Sequence, residues 1–165
     1  MKDRAFIRAV FDCNVLLQAA ARERSAAADC LRMVETGKTH HYLSESILLE
    51  IADVLNRPYI RKYFKSLTDE VVGAFLLQLR KNSTIIPNIT KKFHYSRDPD
   101  DERYVDLAVE AEADYIVSRD KDLLDLMTDH TVEAKEFRQR FRHLKIVDPE
   151  AFKRIVRAMG LALEP

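Results

Sequence analysis

Carboxylates recur in this sequence at places where they could act together. Asp12 follows the apolar run Phe6–Phe11 and precedes Cys13–Leu17. A charge with apolar residues on both sides needs a partner, because burying it alone is costly; a helix-capping Asp is the plainer alternative. Glu50 lies in Ser44–Leu55, beside the stripe Ile47, Ile51, Val54 and Leu55. Helical spacing puts it at the core boundary or, on the plainer reading, on the surface. Asp98, Pro99, Asp100, Asp101 and Glu102 open a further helix. Acids favour a helix's first turn, but Asp101 shares its face with Val105 and Ala108 and so turns inward. Asp120 and Asp122 follow Tyr115–Arg119. Carboxylates brought this close repel unless a cation sits among them, and an all-oxygen donor set suits Mg²⁺ or Mn²⁺.

No other chemistry has the right spacing. His40 and His41 are adjacent and read as strand surface. Cys13 and Cys30 read as small buried hydrophobes, not as nucleophiles, a disulfide framework or a zinc pair. The sequence has no Gly-rich phosphate loop and no Gly-x-Ser-x-Gly.

Short apolar runs alternate with longer amphipathic ones. Strands are expected at Ala5–Phe11, His40–Leu43, Ser83–Ile86, Tyr115–Ser118 and Lys145–Val147. Helices are expected over Ser25–Glu35, Ser44–Arg57, Tyr59–Phe64, Thr68–Lys81, Asp100–Glu112, Asp120–Met127, Val132–Phe141 and Pro149–Met159. Ser44 and Thr68 are caps, and Pro58 stops the helix that Ser44 starts. This alternation implies an α/β fold with a parallel sheet flanked by helices. Such sheets place ligands at the C-terminal ends of their strands, where Asp12 and Asp120 fall.

The chain has 165 residues, 47% hydrophobic and 33% charged, which fits one globular domain spanning residues 1–165. With 3 Gly and 5 Pro, all-β, collagen-like and linker classes are disfavoured. The formal net charge of zero excludes a uniformly basic nucleic-acid coat. The charge is nevertheless blocked: residues 51–97 carry 9 basic and 3 acidic side chains, 98–125 carry 3 and 11, and 126–157 carry 8 and 5. An acidic block between basic ones is what a cation-loaded pocket with phosphate-attracting borders requires, although solvated helix faces give the same pattern. No signal peptide and no apolar stretch near membrane-spanning length is present. A reduced, cytoplasmic protein with no membrane association is expected.

Five stretches carry a resemblance: Val10–Leu16, Ser44–Pro58, Arg97–Glu102, Ala113–Leu124 and Ile146–Phe152. In that order, from about residue 6 to 156, they are similar to PIN-domain proteins, most of all to the bacterial VapC-like toxins of toxin–antitoxin pairs. The resemblance implies a three-layer α/β/α fold with a central parallel sheet. It implies a divalent-metal-dependent endoribonuclease using Mg²⁺ or Mn²⁺, with Asp12, Glu50, Asp101 and Asp120 as the catalytic, metal-holding acids. Asn14 would support Asp12, and Asp100 and Asp122 are auxiliaries, with the choice between Asp100 and Asp101 open. A small antitoxin protein and a homodimer are further implications. The sequence departs from the family at Cys13, where Thr or Ser is usual, at Glu102, where Asn is common, and in a longer link over residues 127–143. Within that link Arg138, Arg140 and Arg142 interleave with Phe137 and Phe141. They are expected to bind RNA unless the helix face is merely solvated. The rival readings are a non-catalytic RNA-binding or regulatory PIN module, an aspartyl-phosphate enzyme and a pure protein-interaction domain. The second would want an acid where Asn14 stands, and the third has no need of clustered carboxylates.

Overall fold

Strand β1 (Ile7–Phe11) is apolar at every position but Arg8, and Ala9, Val10 and Phe11 are fully buried. That is the pattern of a central parallel strand covered on both faces. The computed structural model describes residues 6–160 and places β1 between β2 (Thr39–Leu43) and β4 (Tyr115–Val117), with β3 (Ser83–Ile85) and β5 (Lys145–Val147) at the edges. All pairings are parallel, with Ile7 opposite Thr39 and Ala9 opposite Tyr115. Ala5 of the expected first strand lies outside the described residues, as do residues 1–5 and 161–165 of the expected domain.

Helices flank this sheet in a three-layer α/β/α arrangement. They are α1 (Cys13–Ala21), α2 (Ala26–Glu35), α3 (Glu45–Asn56), α4 (Pro58–Tyr63), α5 (Asp69–Asn82), α6 (Glu102–Glu110), α7 (Lys121–Asp125), α8 (Val132–Arg140) and α9 (Pro149–Ala158). Ser25, Ser44, Thr68, Thr131 and Asp148 each cap a helix by accepting a backbone N–H three residues on. Helix α6 lies across β1, β2 and β4, and α2 packs on α9. In the core, Phe11 meets Phe152 edge-on at 5.9 Å.

The expected strands and helices are present, with four differences. Helix α1 was not anticipated. Its sequence, CNVLLQAAA, is apolar almost all round, so it has no polar face to reveal a helical period. Pro58 does not only end α3 but opens α4 at its first position, where a missing N–H costs nothing. The expected Asp100–Glu112 helix begins as a 3₁₀ turn, Pro99–Asp101. Finally, His41 is buried, while His40 is exposed and stacks on Phe6 at 3.7 Å. His41 Nδ1 lies 2.7 Å from Ser83 Oγ, and Nε2 accepts the Phe11 N–H. Burial pushes its pKa down to about 3, so the ring is a neutral crosslink between strands.

The strand order β3-β2-β1-β4-β5 reverses direction between β1 and β4. In open α/β sheets the crevice at such a reversal, beyond the C-terminal strand ends, is where ligands bind.

Candidate active site

Asp12 leaves the end of β1 directly into that crevice. It is buried, its Oδ1 accepts the Val15 N–H at 2.9 Å, and its Oδ2 accepts the Ser118 hydroxyl. It therefore caps α1 and faces the cleft at once. Burial pushes its carboxyl up to about 6; the Ser118 and Val15 hydrogen bonds oppose the rise, and the Asp120 and Glu50 charges add to it. Ser118 follows β4, and its hydroxyl oxygen also accepts the Asp120 N–H at 2.9 Å. One hydroxyl thus couples the ends of both central strands.

Asp120 caps α7, accepting the Asp122 N–H at 2.9 Å. Across from it stands Asp101, at the end of the 3₁₀ turn and only 6% exposed. Carboxylate oxygens of Asp98, Asp101, Asp120 and Asp122 lie within 4.8 Å of one another. Asp101 Oδ2 is buried with no hydrogen-bond partner. Burial, followed by the charges of Asp120, Asp98, Asp12 and Asp122, pushes its carboxyl up to about 8. An orphaned buried oxygen inside a ring of carboxylates is what a divalent cation would satisfy, so these residues fit a metal. Of the adjacent pair, Asp101 is buried and Asp100 is 91% exposed at the cleft rim.

Glu50 projects from α3 into the same cleft, which measures about 360 Å³ and is lined also by Asp12, Asp101 and Asp120. Its Oε2 accepts Arg103 Nη1 at 2.6 Å and its Oε1 accepts the Tyr104 hydroxyl at 3.3 Å. Burial and the neighbouring Glu50 charge raise the Tyr104 phenol, which stays a donor. The four acids expected from the sequence thus share one cleft, while the closest oxygen cluster adds Asp98 and Asp122 to Asp101 and Asp120. Asp98 was missed as a donor because an Asp before Pro reads as a helix entry. Asp122 is held by Arg97 Nε at 2.5 Å.

Residues 8–122 match the model of the PIN domain family. The chain is a PIN-domain protein. It is 31% identical to the uncharacterized protein MJ1680 of Methanocaldococcus jannaschii over 146 residues, 88% of this chain and 89% of that one. PIN domains are as a class metal-dependent nucleases, and the carboxylate cluster is consistent with a divalent-metal site in this one.

Other expected residues take different positions in this PIN domain. Asn14 lines the cleft without a side-chain hydrogen bond among the described residues, so Asp12 is supported by Val15 and Ser118 instead. Cys13 is half-buried at the cleft, and burial pushes its thiol up to about 12, which excludes a thiolate nucleophile at neutral pH. Glu102 anchors the preceding loop, accepting the Tyr95 N–H at 2.7 Å. Phe137 and Phe141 pack on Phe93 at 5.7 and 6.1 Å, fixing α8 to the body. Of the expected RNA-binding arginines, Arg138 donates to the Leu126 and Asp129 carbonyls at 2.8 and 2.7 Å. Arg140 pairs with Glu136, and Arg142 is exposed. None of the three lines the acidic cleft. Among the described residues no helix is long and apolar enough to cross a membrane.

Proposed function

We propose that this PIN-domain chain is a Mg²⁺- or Mn²⁺-dependent endoribonuclease that hydrolyses RNA phosphodiester bonds. We propose further that it is the cytoplasmic toxin of a toxin–antitoxin pair, with the whole chain a single domain. The observation that carries the nuclease reading is the unpartnered, buried Asp101 Oδ2 inside the carboxylate cluster. Asp12, Glu50, Asp101 and Asp120 are the metal-holding set, with Asp98 and Asp122 adding donors and Asp100 at the rim. A bound divalent cation supplies a water of lowered pKa and offsets charge developing on the phosphorane-like transition state and leaving oxygen. The chain's part is to aim the oxygens. Val15 and Ser118 fix Asp12, Ser118 fixes the backbone at Asp120, and Arg103 with Tyr104 holds Glu50.

The test is cleavage of a pool of structured RNAs with Mn²⁺ or Mg²⁺. Cleavage should vanish in EDTA and in Asp120→Asn. RNA bound in EDTA and cleaved under neither metal would select the non-catalytic module. The toxin role, a small antitoxin over the cleft and a homodimer draw their support from the resemblance. Co-purification of a small partner and light scattering test them. Contact of Arg138, Arg140 and Arg142 with RNA belongs to the same proposal, read as a rise in KM when all three become Gln.

A further inference from the structure

The segment Arg57–Lys65 carries four basic residues and no acidic one, and no catalytic role has been given to it. It includes α4, whose inner side is formed by Ile60 with Phe64 just beyond, both packed against the core. Its outer side presents Tyr59, 62% exposed, and Tyr63, 72% exposed. The two are spaced i,i+4 and so lie on one helix face. Tyr63 meets the Phe64 ring edge-on at 4.7 Å, and both tyrosines still leave most of their surface open to solvent. Lys62 and Lys65 are exposed, and their side chains make no hydrogen bond or ion pair among the described residues.

The position of this face matters as much as its composition. Arg57, Tyr59 and Ile60 line the same cleft as Asp12, Asp101 and Asp120. Arg57 donates to Asp53 Oδ2 at 2.8 and 3.0 Å and to the Tyr59 hydroxyl oxygen at 3.3 Å. That ion pair is exposed and hence weak, so its guanidinium can turn to a stronger anion. The remaining cation of the segment, Arg61, is held by the Leu55 carbonyl, Asn56 and Asp69. The cleft itself is acidic and repels phosphates. A strand entering it needs attraction at the rim, and alternating rings and cations are the recurrent means of holding single-stranded nucleic acid.

We propose that α4 and its flanks form a docking track for single-stranded RNA, with bases stacking on Tyr59 and Tyr63 and phosphates meeting Arg57, Lys62 and Lys65. The track leads the strand into the acidic cleft. The proposal rests on the nuclease reading for the kind of polymer, and its test is independent of cleavage. Binding of a fluorescent single-stranded RNA of about 12 nucleotides, within the usual span of such tracks, is measured by anisotropy in EDTA. Tyr59→Ala with Tyr63→Ala should weaken it about thirtyfold or more, the effect of losing two stacked bases, with the melting temperature kept because both rings are exposed. Lys62→Gln with Lys65→Gln should flatten the salt dependence by roughly one to two counterions. If both double variants bind like the wild type, the docking track is refuted, and intact cleavage would then leave the nuclease reading standing. If both bind weakly and the wild type cleaves nothing under either metal, the track stands and the nuclease reading falls. Failure of the wild type to bind the RNA, with a self-association that the tyrosine variant abolishes, would overturn the proposal in favour of a protein interface.

Discussion

Replacing Asp12 with Asn should make the metal-free protein more stable, and only above the acid range. The folded chain holds the Asp12 proton up to about 6, against an ordinary value of 3.8. Between those values the folded state binds more protons than the unfolded chain, so stability falls as pH rises through the window. Above about pH 7 the whole cost of the buried charge is carried. A tenfold change in proton affinity corresponds to about 1.4 kcal/mol, so that cost is about 3 kcal/mol. The substitution removes the charge without removing the contacts. Its amide oxygen can still accept the Val15 N–H, and its NH₂ can donate to Ser118 Oγ, which already accepts the Asp120 N–H. The assay is thermal or urea unfolding of both proteins in EDTA across the pH range. The two should agree near pH 4, and by about pH 8 the variant should lead by about 3 kcal/mol, or roughly 6–12 °C. Added Mn²⁺ should narrow or reverse the gap, because only the intact carboxylate set gains fully from binding. A variant less stable at every pH, or a difference that does not vary with pH, would refute the reasoning.

Ser118→Ala removes the hydroxyl shared by Asp12 and the Asp120 N–H; Mn²⁺ affinity, measured by calorimetry, should fall about tenfold or more, and the Asp12 carboxyl should titrate higher. Phe137→Ala empties a fully buried site between Phe93 and Phe141 and should lower unfolding free energy by about 3–5 kcal/mol. Arg138→Gln loses two bonds to carbonyl oxygens; it should lower stability in urea unfolding by about 1–3 kcal/mol.

Much of this architecture is legible before folding because burial and capping are local. The central strand shows as an unbroken apolar run, and Ser44 and Thr68 announce helices that begin one residue later. The inward turn of Asp101 follows from its spacing to Val105 and Ala108. What stays hidden depends on contacts distant in sequence. His41 is buried because its ring lies against Phe11 at 4.7 Å and bonds Ser83, and neither neighbour is predictable from the strand's own residues. That Arg138 reaches the Leu126 and Asp129 carbonyls is equally absent from the segment's own letters. The basic–aromatic face of α4 was equally visible as letters, yet only the fold brings Tyr59 and Arg57 to the cleft.

By sequence the strand-end acids Asp12 and Asp120 could each be a helix cap or a metal ligand, and the structure makes both of them caps. Asp12, Asp98 and Asp120 each accept a backbone N–H through Oδ1 at the start of a helical turn. A carboxylate has a second oxygen, and capping leaves it free. Asp12 turns that oxygen to Ser118, while Asp98 and Asp120 contribute to the shared cluster. Parallel strands make this convergence natural: β1, β2, β4 and β5 each lead from their C-terminal ends into a helix N-terminus, so those caps gather along one edge of the sheet. The N–H groups there fix the carboxylates and favour their charge. Asp101 alone among the four clustered acids is buried and makes no capping bond. It is therefore the acid whose charge burial and the neighbouring carboxylates tolerate least.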